Sequence, residues 1–329
     1  MPVDWLDDPG SFTSQEWADL VQADPEATIF HSPRFLKLYW EELGASSLQV
    51  AMARREGAPA AVAAFDLRDG LLTWLGGFDV TDYMGPAGDP ELRAWAARGL
   101  MLGLAARPDW HKADLAGLPL RGRWLAELAE AAEKAGLHPL VEPADVAPFI
   151  RLPDSYEAYL AALEPKLRHE IRRKGRRLRA EHPDIRLVDS RPDTVGPDFD
   201  RFVELHRSSR GEKGRFMVPG MERFFRRLGS TLLADGTLRL AFLETAGVKI
   251  AGAIGFRWRD RFLLYNSAYD HTYSRVSPGM VLIADLIRGA IEERRRGFDM
   301  LKGDLPYKYR FGARPRGIAR LRLRGKGRT

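Results

Sequence analysis

Asp304, Tyr307, Lys308 and Tyr309 crowd a carboxylate, an ammonium and two phenols into one short stretch of a 329-residue chain. Asp270 and the run Arg275-Val276-Ser277-Pro278-Gly279-Met280 precede them. Together these groups suit transfer of an acyl group to an amine. A base takes the ammonium proton, a donor stabilises the tetrahedral oxyanion, and an acid protonates a leaving thiolate. Asp304 or Asp270 would be the base, Lys308 the oxyanion stabiliser, and Tyr307 or Tyr309 the acid. The plainer alternative is a structural Asp–Lys pair beside two packed tyrosines.

Three elements must position these groups: a strand over 261–269, a helix over 279–296 and a strand over 298–302. Ser277 suits an N-cap and Pro278 the first helical position, where a missing N–H costs nothing. Met280, Ile283, Ala284, Ile287 and Ile291 repeat at helical spacing and would be buried. Gly297 would stop the helix, with Arg294, Arg295 and Arg296 offsetting its C-terminal dipole. A strand–helix–strand unit brings both strand ends to one sheet edge, beside the helix N-terminus. There the N–H groups of Gly279, Met280 and Val281, with Arg275 and Ser277, would face an anion such as a pyrophosphate. The same residues also describe nothing more than a well-capped core helix.

The rest of the chain alternates strands and helices in both halves. Strands are expected at 48–53, 58–67 and 71–75, and again at 238–244, 249–258 and 261–269, with Ala246-Gly247 and Arg259-Asp260 as turns. The proline-bearing segment Pro143–Pro153 is the best boundary. It divides the chain into residues 1–150 and 151–329. The first part carries 12 basic and 23 acidic residues and the second 39 and 22, giving −11 and +17. Such a split implies either a polyanionic partner for the basic half or mutual attraction of the halves. Much of the positive charge lies on a helix expected over 165–181, where Arg168, Arg172 and Arg176 share a face. That face is either solvated or a phosphate-binding surface for a tRNA, a nucleotide-linked precursor or a lipid pyrophosphate.

The chain has no cysteine, which excludes disulfides, thiolate zinc sites and a cysteine nucleophile. Its seven histidines show no metal-ligand spacing, so no metal is expected. There is no apolar run of about 18 residues and no signal-like start, so the expectation is a cytoplasmic protein without a transmembrane segment.

Several segments taken together resemble GNAT-superfamily acyltransferases of the FemAB-like and CelD/BcsL-like type. They are Lys166–Arg179, Phe202-Val203-Glu204-Leu205-His206 with Lys213-Gly214, Ser277-Pro278-Gly279-Met280, and Gly303-Asp304-Leu305-Pro306-Tyr307-Lys308. Ile29-Phe30-His31-Ser32-Pro33 and Asp82-Tyr83 look like the matching part of the first half. The resemblance implies an α/β (mixed α+β) chain of two tandem GNAT-like domains, each a largely antiparallel mixed sheet flanked by helices. It implies an N-acyltransferase acting by direct amine attack, with acyl-CoA as co-substrate and no tightly bound cofactor. The acceptor would be a small-molecule or peptide amine, held between the domains. The usual pyrophosphate pattern, Gln/Arg-x-x-Gly-x-Gly/Ala, survives only as Arg275 and Gly279, with Pro278 in place of an N–H donor. This leaves an aminoacyl-tRNA-dependent transferase of cell-wall type as an alternative, and beyond it a non-catalytic polyanion-binding module.

Overall fold

The computed structural model describes residues 3–44, 47–209 and 216–325. The Lys213-Gly214 pair of the resemblance lies outside them. The chain forms two compact units, Met1–Val146 with Arg316–Thr329, and Ala147–Pro315. The second therefore differs from the expected span 151–329 in starting at Ala147 and stopping at Pro315, the strand that follows belonging mostly to the first unit.

In the first unit, β1 (Val3–Leu6) pairs with β2 (Leu48–Arg55). β2, β3 (Ala58–Arg68) and β4 (Leu71–Trp74) form an antiparallel meander. A short β5 (Ala87–Gly88) pairs with β3. Helix α1 (Gln15–Ala23) and helix α2 (Pro33–Tyr39) precede the meander. Helix α3 (Arg93–Ala105) then carries the chain to β6 (Lys112–Pro119), which runs parallel to β4. Helix α4 (Arg123–Lys134) follows, then β7 (Leu140–Arg151). The last strand, β13 (Arg314–Arg324), pairs antiparallel with β6. Asp24 is fully buried where these elements meet. It accepts from Arg93 Nη2 at 3.0 Å, Gly88 N at 3.1 Å and Trp124 Nε1 at 2.5 Å, so its charge is paired and its lone pairs are filled.

The second unit repeats that plan. Helices α5 (Tyr156–Ala162) and α6 (Pro165–Glu181) lead into β8 (Arg186–Asp189), α7 (Val195–Arg207) and α8 (Pro219–Leu232). A meander follows, of β9 (Leu238–Thr245), β10 (Val248–Trp258) and β11 (Arg261–Tyr269). Helix α9 (Pro278–Glu292) returns the chain to β12 (Gly297–Asp299), parallel to β11. A short helix α10 (Pro306–Tyr309) comes next. The end of β7 pairs with β12, giving the order β7-β12-β11-β10-β9-β8. Two meanders, each followed by a helix and one parallel strand, make a structural repeat that residue identities do not reveal. The fold class expected from the sequence is the one observed.

The reason for the parallel step is local. The meander turns are tight; Ala246 and Gly247 both hold positive φ, 47° and 75°. The α9 stripe (Leu282, Ile283, Leu286, Ile287, Ala290) is too apolar to leave the sheet, and it is buried there. Phe298 on β12 stacks on Phe262 of β11 with centroids 5.2 Å apart.

The boundary between the units, after Val146, falls inside the segment Pro143–Pro153, although that segment is strand: β7 runs through Pro143 and Pro148 to Arg151. Proline lacks only the N–H, so a strand tolerates it where no ladder bond is needed. Helix α9 stops at Glu292 rather than near Gly297, because Arg294 turns left-handed at φ 57°. Gly297 instead opens β12, where an added Cβ would sit 2.3 Å from Phe149 Cζ. Gly297→Ala should therefore cost about 2 kcal/mol by overpacking, read as a lower urea midpoint with an unchanged slope. An unchanged midpoint would show that the Phe149 ring yields freely.

Candidate functional site

The site grows from the way β11 parts from β12. Their parallel register covers only Arg261–Leu263 against Gly297–Asp299, while β11 continues to Tyr269. Two features separate the strands. On β11 the register against β10 slips so that Tyr265 is an extra residue, and such a bulge bends its strand. Past β12, Asp299 accepts from Leu301 N at 2.9 Å, and Leu301 turns left-handed at φ 55°. The chain is thereby led away from β11. Over 264–269, the alternate backbone groups on that edge of β11 receive no partner from β12.

A cavity of about 260 Å³ occupies this place. Ser267 and Tyr269 line it from β11, Gly279 from the start of α9, Tyr307 from α10, and Lys174 and Arg310 bring positive charge. Glu170 lies 3.0 Å from Lys174 Nζ and 3.8 Å from Arg310 Nη1. The Lys174 contact, followed by the charges of Lys174 and Arg310, holds its carboxyl below the usual range in spite of burial. Gly279 lies close to the sheet: a Cβ there would stand 3.0 Å from Tyr269 Cδ1, so the ring would have to give by a few tenths of an ångström. Burial pushes the Tyr307 hydroxyl up to about 12, so it keeps its proton at neutral pH. Among the described residues its hydroxyl has no hydrogen-bond partner.

The residues singled out in the sequence divide sharply. Ser277, Gly279, Met280 and Tyr307 line the cavity. Asp270, Asp304, Lys308, Arg275 and Val281 do not. Asp270 instead caps the short turn His271–Val276, accepting from Thr272 N at 2.9 Å and Thr272 Oγ1 at 2.7 Å. Those bonds hold its carboxyl below the ordinary value, the wrong direction for a base. Asp304 is exposed and accepts from the Tyr309 hydroxyl. That bond raises the Tyr309 hydroxyl to about 12. Lys308 is 3 % exposed, and its ammonium donates to Leu301 O at 2.8 Å and Lys302 O at 2.7 Å. It fastens the chain where it leaves β12. Arg275 pairs with Glu181 at 2.6 Å.

The helix start also differs from expectation. Ser277 precedes α9 but is itself left-handed at φ 55°, and its side chain makes no cap. The N–H groups of Met280 and Val281 both donate to Ser277 O, at 3.1 and 3.3 Å. Of the three expected anion donors, only Gly279 N is not used this way. The positive charge at the cavity comes instead from Lys174, on the basic helix read as either solvated or phosphate-binding, and from Arg310, beyond the strand expected over 298–302. One signal was available for Lys174: Glu170 lies four residues earlier, the spacing of a helical ion pair.

Of the arginines on the basic helix, Arg168 Nη1 donates to Ala161 O at 3.4 Å. Arg172 and Arg176 line a second cavity, as does Val281. Among the described residues no group of His, Cys, Asp or Glu could hold a metal ion. No helix there is long and apolar enough to cross a membrane.

A meander, a crossover helix, a parallel strand that stops early, and a cavity at the parting make up this α/β unit. Residues 165–309 match the family described as Acetyltransferase (GNAT) domain. The resemblance to GNAT acyltransferases thus has support over this segment. No curated protein matches the chain. Among solved structures, a conserved protein of unknown function from Bacteroides thetaiotaomicron VPI-5482 is similar over 98 % of this chain and 100 % of its own, at TM-score 0.68 and 14 % identity. FemX is similar over 97 % of each chain, at TM-score 0.67 and 11 % identity. L-PGS from Bacillus licheniformis is similar over 98 % of this chain and 93 % of its own, at TM-score 0.62 and 12 % identity. At these identities the likenesses establish the fold.

Proposed function

We propose that the chain is an N-acyltransferase that takes its acyl group from acyl-CoA, bound where β11 leaves β12, and passes it to an amine. The carrying observation is the cavity itself. A thioester donor with an amide-bearing arm would lie along the stretch of β11 that extends beyond β12, as a further strand would. Its diphosphate would meet Lys174, Arg310 and the Gly279 N–H. The reacting carbonyl would then lie near Tyr307. A phenol that keeps its proton is suited to donate a hydrogen bond to the oxygen or sulfur that gains charge. Among the described residues no carboxylate lines the cavity, so the reading assigns no protein base. The alkaline rise of kcat/KM should follow the pKa of the amine supplied.

Calorimetric titration with acetyl-CoA and with longer acyl-CoAs tests the donor, and failure to bind any of them would sink this reading. A variant strengthens the test. Ser267→Trp places a large ring in the cavity and should weaken acyl-CoA binding about tenfold or more, roughly 1.4 kcal/mol. Unaltered affinity would put the donor elsewhere.

The second reading is an aminoacyl-tRNA donor. It is favoured by the exposed Arg172 and Arg176, which have no ion-pair partner among the described residues. Binding of tRNA should then weaken steeply with salt and be lost in the Arg168→Ala, Arg172→Ala, Arg176→Ala triple variant.

A further inference from the structure

The second unit holds another cavity, of about 360 Å³, between α5, α6 and α9. Its charged lining is Arg172, Arg176, Arg179, Arg288 and Asp285, a net of +3. Arg179 and Asp285 satisfy each other, with Nη2 at 3.0 and 2.9 Å from the two carboxylate oxygens. Arg288 lies over the Tyr156 ring, 4.4 Å from its centroid. Its Nε is nevertheless buried without a partner among the described residues. Such an orphaned donor is costly to bury, and a ligand oxygen would satisfy it. Arg172 and Arg176 stand exposed nearby with no ion pair among the described residues. The remaining wall is apolar, with Leu160, Ile171 and Ala284.

We infer that this cavity is a binding site for a small organic phosphate: a phosphate dianion held by Arg172, Arg176 and Arg288, with an apolar body against Leu160, Ile171 and the Tyr156 ring. Planar guanidinium groups match a phosphate in a way that an ammonium does not. The site is separate from the donor cavity. Gly279, Met280 and Ile283 face that one, while Val281, Ala284 and Arg288 face this one, so different sides of α9 serve the two. The two also share α6, where Lys174 lines the first cavity and Gly175 and Arg176 the second.

Phenyl phosphate is a probe with both features. Titrated into the full chain, it should bind at one site, more tightly than inorganic phosphate. Binding should weaken at least tenfold in the Arg172→Ala, Arg176→Ala double variant and in Arg288→Lys, which removes the Nε donor. The double variant changes exposed side chains only, so its circular dichroism should match the parent. Affinity should be unchanged when acetyl-CoA is present in excess. Absence of saturable binding would overturn the inference. So would equal affinity for inorganic phosphate, insensitivity to both variants, or displacement by acetyl-CoA. None of these outcomes depends on whether acetyl-CoA is the donor.

Discussion

Tyr307→Phe is expected to lower kcat about a hundredfold, the loss typical when one donor to a developing oxyanion is removed, with little change in stability. The hydroxyl borders the cavity and has no hydrogen-bond partner among the described residues, so its removal orphans nothing in the resting protein. Because burial raises it to about 12, the phenol stays protonated across the working range. The sign follows directly: its donor role is present below that pH and is lost only as pH climbs toward 12. Hence no alkaline fall in rate near pH 9 or 10 should trace to Tyr307, and the parent and Tyr307→Phe profiles should run parallel there. A variant as active as the parent would remove Tyr307 from the chemistry. A variant that unfolds would make it structural.

Lys308→Met is expected to act in the opposite sense, on stability rather than chemistry. The ammonium is the donor to the carbonyls of both Leu301 and Lys302 in a buried setting. Taking it away leaves them without that charged donor at a cost of about 3 kcal/mol, on the order of a hundredfold in the folding equilibrium. Urea unfolding followed by tryptophan fluorescence would read this as a lower midpoint. At a temperature where the variant is still folded, kcat should stay within about threefold of the parent. Abolished activity with an unmoved midpoint would restore the catalytic role suggested by its place beside Asp304.

That contrast shows what the residues alone disclosed. Ala246-Gly247 announced a hairpin, the apolar stripe of 280–291 announced a buried helix, and Pro165 opened the basic helix at its true start. These features depend on neighbours in sequence. The use of Lys308 does not: a catalytic lysine and one that fastens a chain reversal have the same identity and the same neighbours, and only the path of 299–303 decides. Asp270 is a similar case, since its carboxylate is spent on the turn that it begins. The parting of β11 and β12 depends on a bulge at Tyr265, and a strand with one residue too many reads much like a strand without it. Tyr307, Gly279, Ser277 and Met280 were legible because they sit beside the helix start that the strand–helix–strand order fixes.

The last strand, β13, has a consequence for the order in which the protein is made. Synthesis reaches the bulk of the first unit before the second, yet the first lacks the β13 partner of β6 until residues 314–324 have left the ribosome. The unit begun first is therefore completed last, while the second, a contiguous stretch from Ala147 to Pro315, has its whole sequence available sooner. The first unit thus cannot be completed until the second has been synthesised, unlike an N-terminal domain made of one contiguous stretch. For a stretch of every round of translation, β6 presents an open edge that only β13 will cover.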